Sequence, residues 1–223
     1  MAVMTKKVDG QIIVQPIKKA RAIVSVKATE ESTLISNRLD PQIAESIVSK
    51  ETGKAQQKKV RNLDEEYETR FHYTDDGEYG YPAAGFAGAI LFGALAAGVN
   101  KTDVKRAIRV LGNVYPLKYK KLNRRVDYPR RKSARGMGAP DVRHRPEFVD
   151  WEADIIIEYD ASQMGLEQVV NLVNQGGFSG GIGDWRPSAP ESPGTHGMFE
   201  VIKVKTLQVK APKLNIPKED EAA

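Results

Sequence analysis

The chain has 223 residues and a formal net charge of +5, and 40% of its residues are hydrophobic. This hydrophobic content supports a folded core and argues against an intrinsically disordered protein, and the length suits one domain with long insertions. The absence of cysteine excludes disulfide bonds, thiolate metal sites and a cysteine nucleophile, and it suits a reducing compartment.

The first predicted elements are a strand and a helix near the N-terminus. Alternating β-branched residues at Ile12–Val14 and Ala22–Val26 predict a long or broken first strand. Asp40 suits the N-cap of a helix over residues 41–49, with a proline at its first position. Residues 50–61 are polar and basic, which predicts a mobile loop. The opening residues have no apolar stretch of the kind found in secretory signals.

A hairpin and an uncharged segment follow. The Asp76-Gly77 pair within Phe71–Tyr81 predicts a hairpin turn. Residues 82–99 carry no charge but are rich in alanine and glycine, and a bilayer-spanning helix needs about 20 strongly apolar residues. We therefore expect a buried core helix rather than a membrane span.

A second short helix and a strand complete this part of the chain. Asn100 or Thr102 can cap a helix over residues 103–106. The apolar residues of Ala107–Val110 then predict a strand.

The C-terminal part is more regular. Ala153–Tyr159 predicts a strand, and Asp160–Ser162 can cap a helix over residues 165–174 that has one apolar face. A glycine-rich loop over Gly176–Gly183 and an alternating strand over Met198–Val204 follow. Strand, helix, loop and strand in this order make half of a ferredoxin-like or RRM-like unit.

These elements predict an α+β fold. We expect one domain over residues 1–209, with a ferredoxin-like or RRM-like core and long insertions. One insertion is a basic hairpin or loop over residues 116–145. The proline- and charge-rich residues 210–223 are expected to be a flexible tail.

The charge of the chain is divided sharply between two segments. Residues 118–145 contain eleven lysines and arginines against two acidic residues, a net charge of +9. Residues 147–200 contain ten acidic residues against one basic residue, Arg186, a net charge of −9. Such a division bears on partners and association rather than on the fold.

The basic segment, Lys118–Arg145, is the leading candidate for a binding site. Lysine and arginine neutralise phosphates, and an aromatic face can stack on an unpaired base. Tyr119 and Tyr128 lie among the cations, and glycines and a proline near residue 138 interrupt regular structure. The candidate contacts in the segment are Lys118, Lys120, Lys121, Arg124, Arg125, Tyr128, Arg130, Arg131, Lys132, Arg135, Arg143 and Arg145. A subunit contact, docking onto the acidic half of the same chain, and an ordinary solvated surface remain alternatives.

The glycine-rich loop does not resemble a nucleotide site. Residues 176–187 lack the Lys-Ser/Thr pair of a phosphate-binding loop, and prolines argue against a following helix. We expect the glycines to allow a tight crossing between the helix and the last strand, with Trp185 as an anchor. Arg186 is expected to form an ion pair or to contact a phosphate.

No catalytic constellation is evident. His72, His144 and His196 are far apart in sequence and lack the spacing of metal ligands, and no G-x-S-x-G elbow occurs. We therefore expect no enzymatic activity, no metal and no cofactor. A metal-dependent RNA nuclease remains an alternative.

Five segments together resemble the RAMP superfamily, whose members include the backbone subunits of CRISPR effector complexes and phage-encoded relatives. These segments are STLISNRL at residues 32–39, DEEYE at 64–68, DG…GYPAAGFAGAI at 76–90, RHRPEFVDWEADIIIEYD at 143–160 and GGIGDWRP…GMFEV at 180–201. The resemblance extends over residues 20–205, and the last two segments carry it most specifically.

The resemblance implies an RRM-like core that binds single-stranded RNA or DNA through its backbone and assembles head to tail. It implies a phosphate contact for Arg38 and a β-hairpin thumb for residues 118–135. The chain departs from the pattern at 194–200, GTHGMFE, where relatives often have a basic residue before the phenylalanine. Only Phe199 could stack on a base from the sheet, so sequence-specific stacking there is not expected.

The sequence therefore favours a single-strand nucleic-acid-binding protein, largely sequence-independent, that forms oligomers or filaments along the strand. A phage origin would place it in the cytoplasm of a bacterial host, with CRISPR-type or recombination proteins as further partners and no membrane contact. The alternative is a protein-interaction module or inhibitor that mimics an effector backbone subunit. Joint replacement of Arg124, Arg125, Arg130 and Arg131 by alanine is expected to abolish binding without unfolding the domain.

Overall fold

The computed structural model describes residues 7–8, 11–12, 17–39, 44–45, 48, 61–133 and 136–209. The helix expected over residues 41–49 lies largely outside these residues, but residues 44, 45 and 48 are described and are helical. The mobile loop expected over 50–61 lies outside them except for Arg61. The tail expected over 210–223 lies outside them too.

The described residues contain fourteen strands and four α-helices. The strands are β1 (Lys7–Val8), β2 (Gln11–Ile12), β3 (Lys19–Ala28), β4 (Leu34–Ile35), β5 (His72–Tyr73), β6 (Tyr79–Pro82), β7 (Ile108–Leu111), β8 (Val114–Pro116), β9 (Lys121–Asp127), β10 (Arg130–Ser133), β11 (Gly136–Pro140), β12 (Arg143–Val149), β13 (Glu152–Asp160) and β14 (Phe199–Leu207). The helices are α1 (Leu63–Thr69), α2 (Ala83–Ala96), α3 (Lys101–Ala107) and α4 (Leu166–Gln175).

The central sheet has four strands in the order β14-β3-β13-β7, and each neighbouring pair is antiparallel. Helix α2 lies in the chain between β3 and β7, and α4 lies between β13 and β14. This β-α-β-β-α-β arrangement is the ferredoxin-like unit. The expected α+β core is confirmed, and its first half, which the sequence pattern left open, is present as well.

The hydrophobic core lies between the central sheet and the helices. Residues alternate along β3 between buried and partly exposed positions because successive side chains of a strand point to opposite faces. The buried row of β3 is continued by apolar residues of β13, α2 and α4. This core includes Ala22, Val24, Val26, Phe86, Ile90, Ile155, Ile157, Val169 and Val173.

The opposite face of the central sheet is polar. Arg21 on β3 donates to Glu158 on β13 at 2.8 Å, and Ser25 lies opposite Asp154 in the same pair of strands. Phe199 is 1% exposed and belongs to the core. The central sheet therefore presents no aromatic side chain from its described strands for base stacking, as the sequence led us to expect.

Helix α2 lies close to the glycine-rich segment. A Cβ atom on Gly93 would overlap the backbone of Gln175 and Gly176, and one on Gly177 would overlap the carbonyl of Phe199. Gly176–Gly180 continues α4 as a single π-helical turn, so the prediction of a loop beginning at Gly176 is wrong. The glycines permit the close crossing that we expected, since a side chain would keep the two backbones apart.

No helix in the described residues combines the length and apolarity that crossing a bilayer requires.

Two substitutions in α2 separate close packing from helix propensity. Gly93→Ala is expected to lower the free energy of unfolding by about 2 kcal/mol because the added methyl group meets backbone that cannot easily move. Gly88→Ala is the matched control, since its Cβ would meet nothing within 4 Å, and alanine should stabilise the helix by up to about 1 kcal/mol. Urea denaturation measures both, and equal effects of the two substitutions would contradict the packing role of Gly93.

Among the shorter elements, the predicted hairpin turn and the predicted Asn100 cap are confirmed, whereas a second predicted helix cap is wrong. Gly77 has φ +83° in the turn between β5 and β6, and the Asn100 side chain accepts from the amide of Thr102 at the start of α3. The predicted capping of α4 by Asp160–Ser162 is wrong, because the helix starts at Leu166 with Gly165 before it. Asp160 instead accepts from the amides of Ser162 and Lys18.

Candidate nucleic-acid interface

The basic segment folds as one long β-hairpin. Strands β9 and β12 pair from Lys121 opposite Val149 to Asp127 opposite Arg143, and we call this part the stem. Strands β10 and β11 pair beyond it, and we call them the distal arm. The amide of Asp141 donates to the carbonyl of Pro129 at 2.9 Å, which joins the two parts. The expectation of a loop or hairpin is thus resolved as a hairpin.

One face of the stem contains a buried ionic cluster. Arg145 is 2% exposed, and its guanidinium donates to Asp127 at 2.5 Å and to Asp184 at 2.5 Å. Asp184 belongs to the segment that follows the glycine-rich turn, and it also accepts from the side chain of Asn37 at 2.8 Å. A buried charge requires such partners because removal from water is costly. Arg145 is therefore buried and paired within the chain, which indicates a structural role.

Arg125 extends this cluster along the same face of β9. It donates to Asp127 at 3.0 Å and to Glu147 at 3.0 Å. Burial alone would raise the pKa of Glu147, but hydrogen bonds from Thr33, Asn123 and Arg125 outweigh it and lower the pKa below its ordinary value. Both arginines are therefore held by carboxylates of the same chain.

Trp185 covers the cluster, as expected for an anchor. The guanidinium carbons of Arg125 and Arg145 lie 4.7 and 4.9 Å from the centre of its ring. Cation–π attraction adds to the ion pairs because these guanidinium groups are largely removed from water. The His196 ring lies 5.9 Å from the Trp185 ring, and burial, together with the charge of Arg125, lowers the pKa of His196.

The other face of the stem packs against the acidic helix α1. Arg124 lies 4.7 Å above the ring of Tyr67 and forms an ion pair with Asp64 at 2.6 Å. It also donates to Nδ1 of His144 at 2.7 Å. Helix α1 suits this position because Asn62 caps it and acidic residues occupy its first turn. The stem is thus held on both faces.

Three further candidates have partners within the chain. Lys118 pairs with Asp154 at 3.0 Å, and Arg143 pairs with Asp141 at 3.3 Å. Within the described part of the chain, Arg186 donates to the carbonyl of Gly183 at 2.8 Å and to the Ser188 hydroxyl rather than forming an ion pair, and its phosphate contact stays a prediction.

The remaining candidates divide into three groups. In the described part of the chain, the side chains of Lys120, Lys121, Arg38 and Tyr128 are exposed and have no hydrogen bond or ion pair. Arg130, Arg131 and Lys132 lie on β10, for which only the backbone pairing is described. Arg135 lies outside the described residues.

The joint substitution of Arg124, Arg125, Arg130 and Arg131 combines two kinds of residue. Two of them hold the stem, and the other two lie in the distal arm. Arg125 holds Asp127 and Glu147, and Arg124 holds α1 on the stem, so their loss would disturb the fold as well as any interface. The expectation that the domain tolerates all four substitutions is not supported by these contacts. Substitutions in the distal arm avoid them.

The carboxylates that neutralise the stem were not predicted from the sequence. One signal was available, because Arg125 and Asp127 are two residues apart and a strand places such residues on one face. Asp184 is 39 residues from Arg145, and its role follows only from the fold. Among the described residues, no group of three histidine, aspartate or glutamate side chains is placed to hold a metal ion.

A comparison with solved structures identifies a similar fold. No family model and no curated protein match the chain. A chain in the cryo-EM structure of the Type III-B Cmr-beta bound to cognate target RNA superposes with a TM-score of 0.51 at 10% sequence identity. The match covers 86% of this chain but 61% of that chain, so this protein spans less than two thirds of the neighbour's length. At this identity the likeness establishes the fold alone, in keeping with the resemblance noted in the sequence.

Proposed function

We propose that the chain binds single-stranded nucleic acid through the sugar-phosphate backbone, with its hairpin as the main contact. The observation that carries this proposal is the division of the hairpin's cations. The four arginines of the stem, Arg124, Arg125, Arg143 and Arg145, are paired with carboxylates, whereas Lys120 and Lys121 at its foot are exposed and unpaired. The distal arm adds Arg130, Arg131 and Lys132, and Arg135 lies between its two strands in the sequence.

The fixed stem supports this role. Trp185 and its segment hold one face of the stem, and α1 holds the other. A stem held in this way keeps the backbone of Lys120 and Lys121 at its foot in one place before a strand arrives, so less conformational freedom is lost on binding. Phosphate contacts by lysine and arginine then supply affinity that is largely independent of sequence.

The central sheet supports backbone recognition rather than base recognition on that surface. Its open face bears ion pairs such as Arg21–Glu158 where RNA-binding sheets of this topology place stacking aromatics. The structural neighbour belongs to an assembly bound to RNA. We therefore propose subunits of such an assembly as protein partners of this chain. The proposal assigns the protein no catalytic step.

Assembly along the strand is part of the proposal and has its own test. We expect the mass measured by light scattering to rise in steps when a single strand of about 40 nucleotides is added, because neighbouring copies would occupy successive positions. A mass equal to one protein on one strand at saturation would contradict assembly and leave binding itself intact.

A second candidate function is a protein-interaction module. It is favoured by the internal pairing of Lys118, Arg124, Arg125, Arg143 and Arg145, which uses five of the eleven cations of the segment within the chain. Exposed apolar side chains such as Leu95 and Val99, 55% and 38% exposed at the end of α2, also suit a protein surface. Association with purified effector subunits in the absence of nucleic acid, without binding of single strands, would favour this candidate.

A further inference from the structure

Three tyrosines come together beside the foot of the hairpin. Tyr73 on β5 lies directly opposite Tyr79 on β6, with 5.6 Å between the ring centres. The Tyr119 ring lies 6.4 Å from that of Tyr79 on the other side. We call Tyr73, Tyr79 and Tyr119 the tyrosine row. Its members come from distant parts of the sequence, and only the fold reveals it.

The row forms the outer edge of an aromatic cluster. Phe71 stacks on Tyr79 with 4.5 Å between ring centres, and Phe148 meets Tyr119 edge-on at 5.1 Å. Both phenylalanines are 1% exposed, whereas Tyr73 and Tyr119 are each 37% exposed. The inner layer is thus filled by phenylalanine, and Tyr73 and Tyr119 are the members of the row most open to solvent.

The backbone around Tyr119 is held on both sides. The amide of Lys118 donates to the carbonyl of Glu152 at 3.0 Å, and the amide of Lys120 donates to the carbonyl of Val149 at 3.0 Å. The ring is therefore supported by Phe148 from within and by paired backbone along its own segment. A ring fixed in this way loses little freedom when a ligand stacks on it.

Unpaired cations lie at both ends of the row. Lys120 and Lys121 directly follow Tyr119 and are exposed. At the other end, Arg38 is exposed, and its amide donates at 3.1 Å to the carbonyl of Arg70, three residues before Tyr73. Exposed aromatic rings flanked by cations are the combination that single-strand binding proteins use, because bases stack on the rings while phosphates meet the charges.

We propose that the tyrosine row is a base-stacking subsite for the unpaired bases of a bound single strand. This inference rests on the proposed function and adds to it a place where bases, rather than phosphates, meet the protein. Stacking tolerates every base because each has a π-face, so the subsite is compatible with binding that is largely independent of sequence.

The test compares a normal single strand with an abasic strand of the same length, which keeps the phosphates but has no bases. The wild-type protein is expected to bind the normal strand at least about tenfold more tightly than the abasic strand. Joint substitution of Tyr73→Leu and Tyr119→Leu should remove that difference and leave binding to the abasic strand unchanged. The conservative variants Tyr73→Phe and Tyr119→Phe keep the rings and should preserve the difference.

Phe178→Leu is the matched control, since Phe178 is 69% exposed and lies on the π-helical turn, outside the segments that form the row. It should bind both strands as the wild type does. Equal wild-type affinity for normal and abasic strands would overturn the subsite while the proposed function stands. Leucine variants that lose affinity for both strands alike would also overturn it, because the rings would then be structural. Failure of the wild type to bind either strand would instead overturn the proposed function.

Discussion

Joint substitution of Arg130→Ala, Arg131→Ala and Lys132→Ala is expected to weaken single-strand binding by about 100-fold. Each lost cation removes a contact of about 1 kcal/mol with a phosphate. The dependence of the binding constant on salt should become shallower by about 2 in the logarithmic slope, since each contact on a single strand contributes about 0.7. Fluorescence anisotropy of a labelled oligonucleotide at several salt concentrations measures both quantities.

A matched control removes three cations elsewhere on the surface. Lys101, Lys105 and Arg106 are exposed on α3, and their joint replacement by alanine changes the net charge by the same amount. We expect less than a threefold loss of affinity and an unchanged salt slope. Equal losses in the two triple variants would show that net charge, rather than the distal arm, governs binding.

Arg145→Met is expected to lower the free energy of unfolding by about 3–5 kcal/mol. The substitution keeps most of the side-chain volume but leaves Asp127, which is 7% exposed, without its closest partner and leaves Asp184 without its ion pair. Removal of one member of a buried ion pair is strongly destabilising because the other charge stays buried. Chemical denaturation followed by the two tryptophans measures the change.

Lys121→Met is the matched control for this prediction. Lys121 lies on the same stem but is exposed and unpaired, so its replacement should change the unfolding free energy by less than about 0.5 kcal/mol. A loss for Arg145→Met no larger than that of the control would show that the ionic cluster contributes little to the stability of the hairpin.

The central unit of the fold could be predicted where local pattern and tertiary environment agree. The alternating residues of β3 and the apolar run of β13 each suit a strand that is buried on one side, and α4 has a single apolar face. The glycine-rich segment was harder, because Gly176 is helical against its propensity. Close contact with α2 decides its conformation, and that contact does not appear in the local sequence.

The position of the candidate interface could be predicted from the sequence, but which of its cations are paired and which are exposed could not. The cations of residues 118–145 stand out in the sequence, yet those that are paired and those that are exposed differ only in what surrounds them. Arg145 and Lys121 lie on the two strands of one stem, but Asp184 reaches the first and nothing in the described chain reaches the side chain of the second. The pairing of Arg145 depends on the segment that contains Asp184, which follows β13 and α4 in the chain. Only the fold brings this segment to the stem.

The most direct test of the central claim is the binding of the wild-type protein to a labelled single strand between 50 and 200 mM salt. Six contacts from Lys120, Lys121, Arg130, Arg131, Lys132 and Arg135 predict a logarithmic salt slope of about −4, which corresponds to about a 300-fold loss of affinity over this range. Absence of binding at 50 mM salt, or an affinity that does not change with salt, would contradict the account.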